Sequence, residues 1–132
     1  MNASLSTHRN RIPRIVGGVM LAEAVTFAIA SILHFGVLES FDAAAIPEAI
    51  IAVVLGTGAI VLMRRPAGSW WIALTTTLFA LLGVAIGLTV ILRSPVSRPA
   101  DLAYHASIFV ALVMTVGLLF RPSVRTVPRR SS

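Results

Sequence analysis

The chain of 132 residues has no cysteine, which removes disulfides, iron–sulfur clusters and thiolate metal sites from consideration. It has no lysine either, since all 11 basic residues are arginine. Charge of any kind is scarce. Charged residues make up 12% of the chain, about half the share of an ordinary soluble domain. Only five are acidic: Glu23, Glu39, Asp42, Glu48 and Asp101. The chain also lacks an H-E-x-x-H sequence, a P-loop and a nucleophile motif, so nothing in it indicates an enzyme.

What is present is apolar. Hydrophobic residues account for 57%, and the mean hydropathy is +0.91. A 14.0 kDa soluble domain has too much surface for its volume to hide that many apolar side chains. The surplus must face lipid, which excludes a soluble enzyme. The net charge of +6 does not point to nucleic acid as a partner. The arginines stand at the ends of apolar runs, as orientation signals do, and not along one face. Arginine without lysine, together with abundant Ala, Val and Gly, is the composition of a GC-rich bacterial genome.

Four apolar runs are long enough to cross a bilayer core of about 30 Å, which takes about 20 helical residues. The spacing predicts helices over about 15–38, 46–63, 70–92 and 100–120. Residues 1–14 form a basic N-terminal segment, in which His8 has no assigned role, and 121–132 form a basic tail. The first run is too long for a signal-peptide core and carries Glu23 near its middle, so it reads as an anchor. Glu39, Ser40 and Asp42 fall in the first loop. Pro47 and Pro99 then suit the first turns of the second and fourth helices. Arg64, Arg65, Pro66 and Gly68 stop the second run. Trp70 and Trp71 follow, where an interfacial aromatic belt would place them. In the third run, Gly83 and Gly87 share a face and permit close helix approach.

The flanks set the orientation. With the N-terminus inside, Arg9, Arg11, Arg14, Arg64, Arg65, Arg121, Arg125, Arg129 and Arg130 are cytoplasmic, and only Arg93 and Arg98 are outside. That bias predicts both termini in the cytoplasm. Short loops make consecutive helices antiparallel neighbours. The expected fold is therefore an all-α, integral membrane four-helix up-down bundle in the bacterial inner membrane.

Ionisable groups at membrane depth cost about 2.5–3.5 kcal/mol each and usually face a partner or cavity. This topology gathers most of them at the outer end. His34 lies near the end of helix 1 and Glu48 at the start of helix 2. Asp101, Tyr104 and His105 occupy the first turns of helix 4. Asp101 and His105 are four apart and share a face. Glu23 and His34 are eleven apart, so they share a face about three turns, or roughly 16 Å, apart. Glu23 and Tyr104 could thus continue a polar track inward. Plainer roles remain open: a carboxylate in a first turn is favoured by the helix dipole, and Tyr104 suits an interfacial anchor.

Three chemistries fit such a cluster. His34, Glu48, Asp101 and His105 form a candidate set for a transition metal. His34 and His105 are a candidate axial pair for haem. The same groups, with Glu23, could bind or relay protons or a cation. The segments His34-Phe35-Gly36, Pro47-Glu48-Ala49-Ile50-Ile51 and Asp101-Leu102-Ala103-Tyr104-His105 resemble those of small four-span membrane proteins of high-GC bacteria. In size and layout alone the chain also resembles DoxX-type four-helix membrane proteins. Both resemblances imply the bundle, and neither supplies an activity. The expected role is redox or transport support at the outer-leaflet cluster. A non-catalytic accessory subunit of a larger membrane complex and a small homo-oligomeric proton- or cation-coupled transporter remain as alternatives.

Overall fold

A computed structural model describes residues 11–35, 42–95 and 99–125. His8, Arg9, Glu39, Ser40, Arg98, Arg129 and Arg130 lie outside them. The described residues form helices and connecting turns with no strand. Four long helices follow one another: α1 (Arg11–His34), α2 (Asp42–Arg64), α3 (Trp70–Arg93) and α4 (Pro99–Leu119). Each is long and apolar enough to cross a membrane. A short α5 (Pro122–Arg125), absent from the sequence-based expectation, closes the described chain.

Two boundaries differ from expectation in ways that matter. Helix α2 starts at Asp42, four residues early, because Asp42-Ala43-Ala44-Ala45 contains three of the best helix formers. Pro47 therefore lies inside the helix and not in its first turn, and Glu48 sits in the second turn. The described part of the first run starts earlier, at Arg11, and its last helical residue is His34.

Side-chain spacing explains why the helices pack. Val16, Met20, Ala24 and Phe27 form the inner stripe of α1, and Ile51, Leu55, Ala59 and Leu62 that of α2. In α4 the stripe is Ile108, Leu112, Thr115 and Leu119. These steps of three and four keep each row on one helical face. The outward faces are apolar as well, with Ile32, Val53, Leu82 and Met114 each more than 60% exposed.

The pairs α1–α2, α2–α3 and α3–α4 make the main contacts, with a smaller one between α1 and α4. Glycines set the close approaches. A Cβ on Gly17 would strike Met63, one on Gly58 would strike Thr76, and one on Gly83 would meet Ile51. Gly83 is therefore spent inside the molecule against α2. Gly68, at φ 83°, makes the turn between α2 and α3, a conformation costly for any residue with a Cβ.

At the arginine-bearing end, the indole N–H of Trp70 donates to the carbonyl of Leu119 at 2.6 Å. That bond satisfies one of the carbonyls left open where α4 ends. Phe120 packs edge-on against Trp70, and the Arg125 guanidinium lies 5.3 Å from its ring centroid. Trp70 is thus a buried tie between α3 and α4 and not an interfacial anchor. Trp71 is 67% exposed and keeps the position of a belt residue. Trp70→Phe keeps most of the packing but orphans the Leu119 carbonyl. It should lower stability by about 1 kcal/mol, read from denaturant unfolding in mixed micelles.

Candidate functional site

At the opposite end, α1 finishes at His34, and α2 and α4 bring their first turns beside it. Ser31 helps to fix this junction, its hydroxyl donating to the Ala45 carbonyl at 2.8 Å. His34 Nδ1 lies 2.7 Å from Glu48 Oε2. His34 Nε2 lies 3.9 Å from Asp101 Oδ1, and His105 Nδ1 lies 3.1 Å from that same oxygen. His105 Nδ1 is also 3.0 Å from the Asp101 backbone carbonyl. All four expected residues therefore meet, in the chain Glu48–His34–Asp101–His105.

The contacts constrain where the hydrogens sit. His105 Nδ1 faces two oxygen acceptors, so that nitrogen carries the hydrogen. Where Glu48 is ionised, His34 Nδ1 donates to its carboxylate in the same way. The Nε2 atoms are then the basic positions. Adding a proton at His34 Nε2 would turn its 3.9 Å approach to Asp101 into an ion pair between donor and acceptor. Side-chain exposure falls from 20% at His34 through 15% at Asp101 and 9% at His105 to 5% at Glu48. The chain is thus most open at His34, and its two ends, Glu48 and His105, are the most buried. Glu48 Oε1 is buried with no hydrogen-bond partner.

This burial changes the reading of Glu48. It does not stand in a first turn to suit the helix dipole; it is an inward-facing group held by an imidazole from α1. Asp101 does stand in the first turn of α4, and there it also serves both histidines. Tyr104 faces inward as well, edge-on to Phe27 at 6.5 Å and to His105 at 5.2 Å between ring centroids. It is therefore no simple interfacial anchor.

The metal arrangement expected from sequence is not formed. Among the described residues no group of three or more His, Cys, Asp or Glu side chains is placed to hold a metal ion. The groups pair off, and each histidine spends Nδ1 on a carboxylate. A haem between His34 and His105 fits no better, because the Asp101 carboxylate occupies the space between the two imidazoles.

Glu23 belongs to a separate site. It is 5% exposed, and the Thr115 hydroxyl donates to its Oε1 at 2.7 Å, linking α1 to α4. Its Oε2 is buried without a partner. Phe27, one turn along from Glu23, packs edge-on against Tyr104, and Tyr104 packs edge-on against His105. Sequence reasoning missed Thr115; the available signal was a polar residue on the same α4 face as Tyr104, eleven positions away.

A cavity of about 250 Å³ adjoins the outer cluster. Phe27, Ile51, Val84 and Ile91 contribute apolar wall, while Glu48, Asp101 and His105 contribute the polar edge. Gly87 also lines it, and a Cβ there would come within 3.0 Å of the His105 ring.

No protein-family model, curated protein or solved structure matches the chain. The site's own chemistry therefore carries the functional reading.

A double-mutant cycle tests the inner pair. Glu23→Gln and Thr115→Val should couple by about 0.6 kcal/mol, and by no more than about 1.7, the range for interhelical hydrogen bonds in lipid. Unfolding of the four proteins in bicelles measures that coupling.

Proposed function

We propose that the protein is a four-span inner-membrane protein that binds and passes protons at the Glu48–His34–Asp101–His105 chain in support of transport. The observation that carries this reading is the junction itself. Three helices deliver alternating carboxylates and imidazoles at 2.7, 3.9 and 3.1 Å. Imidazole titrates near neutral pH and exchanges protons through either nitrogen. Ionisable groups among apolar helices are costly, and where they occur they mark ion and proton pathways.

Arginine bias supports an orientation with both termini cytoplasmic and the cluster in the outer leaflet. Fusion of a cytoplasm-active reporter to either end should give signal for both, whereas a periplasm-active reporter should give none at either. Opposite results at the two ends would remove the four-span topology.

The functional test uses the purified protein in liposomes holding a pH-sensitive dye. Under an imposed potential, wild type should dissipate a pH gradient several-fold faster than protein-free vesicles. Glu48→Gln and His34→Ala should each return the rate to near that baseline. Equal rates in all three proteins would exclude proton passage through this cluster.

A further inference from the structure

The cavity beside the cluster combines three properties that together select a ligand. Its walls are mainly apolar. It contains a carboxylate, Glu48, which is 4% exposed and whose Oε1 has no hydrogen-bond partner. It also reaches the outward surface of the bundle, because Ile86 and Val90 of α3, which line it, are 57% and 54% exposed.

Each property excludes something. A buried acceptor without a donor is costly, so a ligand that donates to Oε1 recovers that loss. The charge balance then separates cations from neutral donors. With both carboxylates ionised, the cluster of two carboxylates and two imidazoles is net negative unless both imidazoles are protonated. In a low-dielectric surround an unbalanced negative charge strongly favours a cation. The apolar wall disfavours a hydrated metal ion and suits a hydrocarbon body. The volume limits that body. A cavity of about 150 Å³ lined by apolar side chains holds benzene, so 250 Å³ accommodates about ten non-hydrogen atoms.

We infer that this cavity is a binding site for a small lipophilic ammonium ion, its nitrogen donating to Glu48 Oε1 and its apolar body lying along Gly83 and Gly87. Both glycines line the cavity wall where α3 packs closely on its neighbours. A side chain at position 83 would meet Ile51, and one at 87 would meet His105. Access is lateral, past Ile86 and Val90, in the direction from which an amine dissolved in lipid would arrive. This assignment deepens the proton-coupling proposal by naming the substrate class, since proton and ammonium compete for the same oxygen. The ionisable groups around that oxygen are His34 from α1 and Asp101, Tyr104 and His105 from α4. From α3 the cavity receives only apolar residues and glycine.

The experiment is equilibrium binding of phenethylammonium to the purified full chain in nanodiscs, with 2-phenylethanol as the neutral counterpart and tetraphenylphosphonium as an oversized cation. Phenethylammonium should bind at least tenfold more tightly than the alcohol, and tetraphenylphosphonium should not compete. Glu48→Gln should weaken amine binding at least tenfold while leaving alcohol binding unchanged. Val90→Phe, at an outward-facing rim position, should lose amine binding while keeping the wild-type unfolding midpoint. Equal binding of amine and alcohol, or of amine to wild type and Glu48→Gln, overturns the assignment. Proton flux that depends on Glu48 without amine selectivity would retain the proton reading and remove this one. Selective amine binding without flux would do the reverse.

Discussion

A carboxylate or imidazole enclosed by apolar helices loses its water, and only another group of the protein can replace it. The placement of the polar side chains follows from that constraint. His34 supplies a donor to Glu48, Asp101 supplies an acceptor to His105, and Thr115 supplies a donor to Glu23. Each link except Asp101–His105 joins two different helices. The helix pair that packs least closely among the four bundle interfaces, α1–α4, is crossed by two of the polar approaches, Glu23–Thr115 and His34–Asp101. Apolar packing holds α1 to α2 and α2 to α3, whereas directional polar contacts set how α4 lies against α1. Single interhelical hydrogen bonds of this kind contribute little, about 0.6 kcal/mol. Their value lies in excluding registers that would leave a buried charge alone.

The two ends of the bundle solve their termini differently. At the arginine-bearing end, an indole N–H from α3 and the backbone N–H groups of Phe120 and Arg121 cover the last carbonyls of α4, with Val124 of α5 fully buried. Among the described residues, the other end is not closed in this way. There the helix ends carry the acid–imidazole chain and an apolar cavity, with two carboxylate-bearing helices facing a stretch of α3 that has glycine at 83 and 87. A bundle uniformly filled with leucine would be better packed. Glu48, Asp101 and His105 line the missing volume, so cavity and cluster form one site.

Much of the architecture was legible because it rests on counting. The length of the apolar runs, the arginine flanks and the three-and-four spacing of residues such as Val16, Met20, Ala24 and Phe27 depend only on helix geometry and local composition. Even the meeting of His34, Glu48, Asp101 and His105 followed from alternating helix direction and short loops. The errors were local or atomic. Pro47 suggested a helix start, but the preceding alanines carried the helix past it. Trp70 suggested an interface by its residue type, but its direction around α3 turned it inward.

By itself the sequence determined four apolar helices, their alternation and the end at which the acids and imidazoles collect, because hydrophobicity and chain connectivity act one residue at a time. Tertiary structure alone decided which nitrogen faces which oxygen, and so that the acids and imidazoles pair off and do not gather around one metal position. It also decided that Glu23 would find Thr115, 92 positions away, and that Gly87 would lie closely against the His105 ring. Those outcomes depend on rotation about each helix axis and on side-chain direction, which are set only when all four helices pack together.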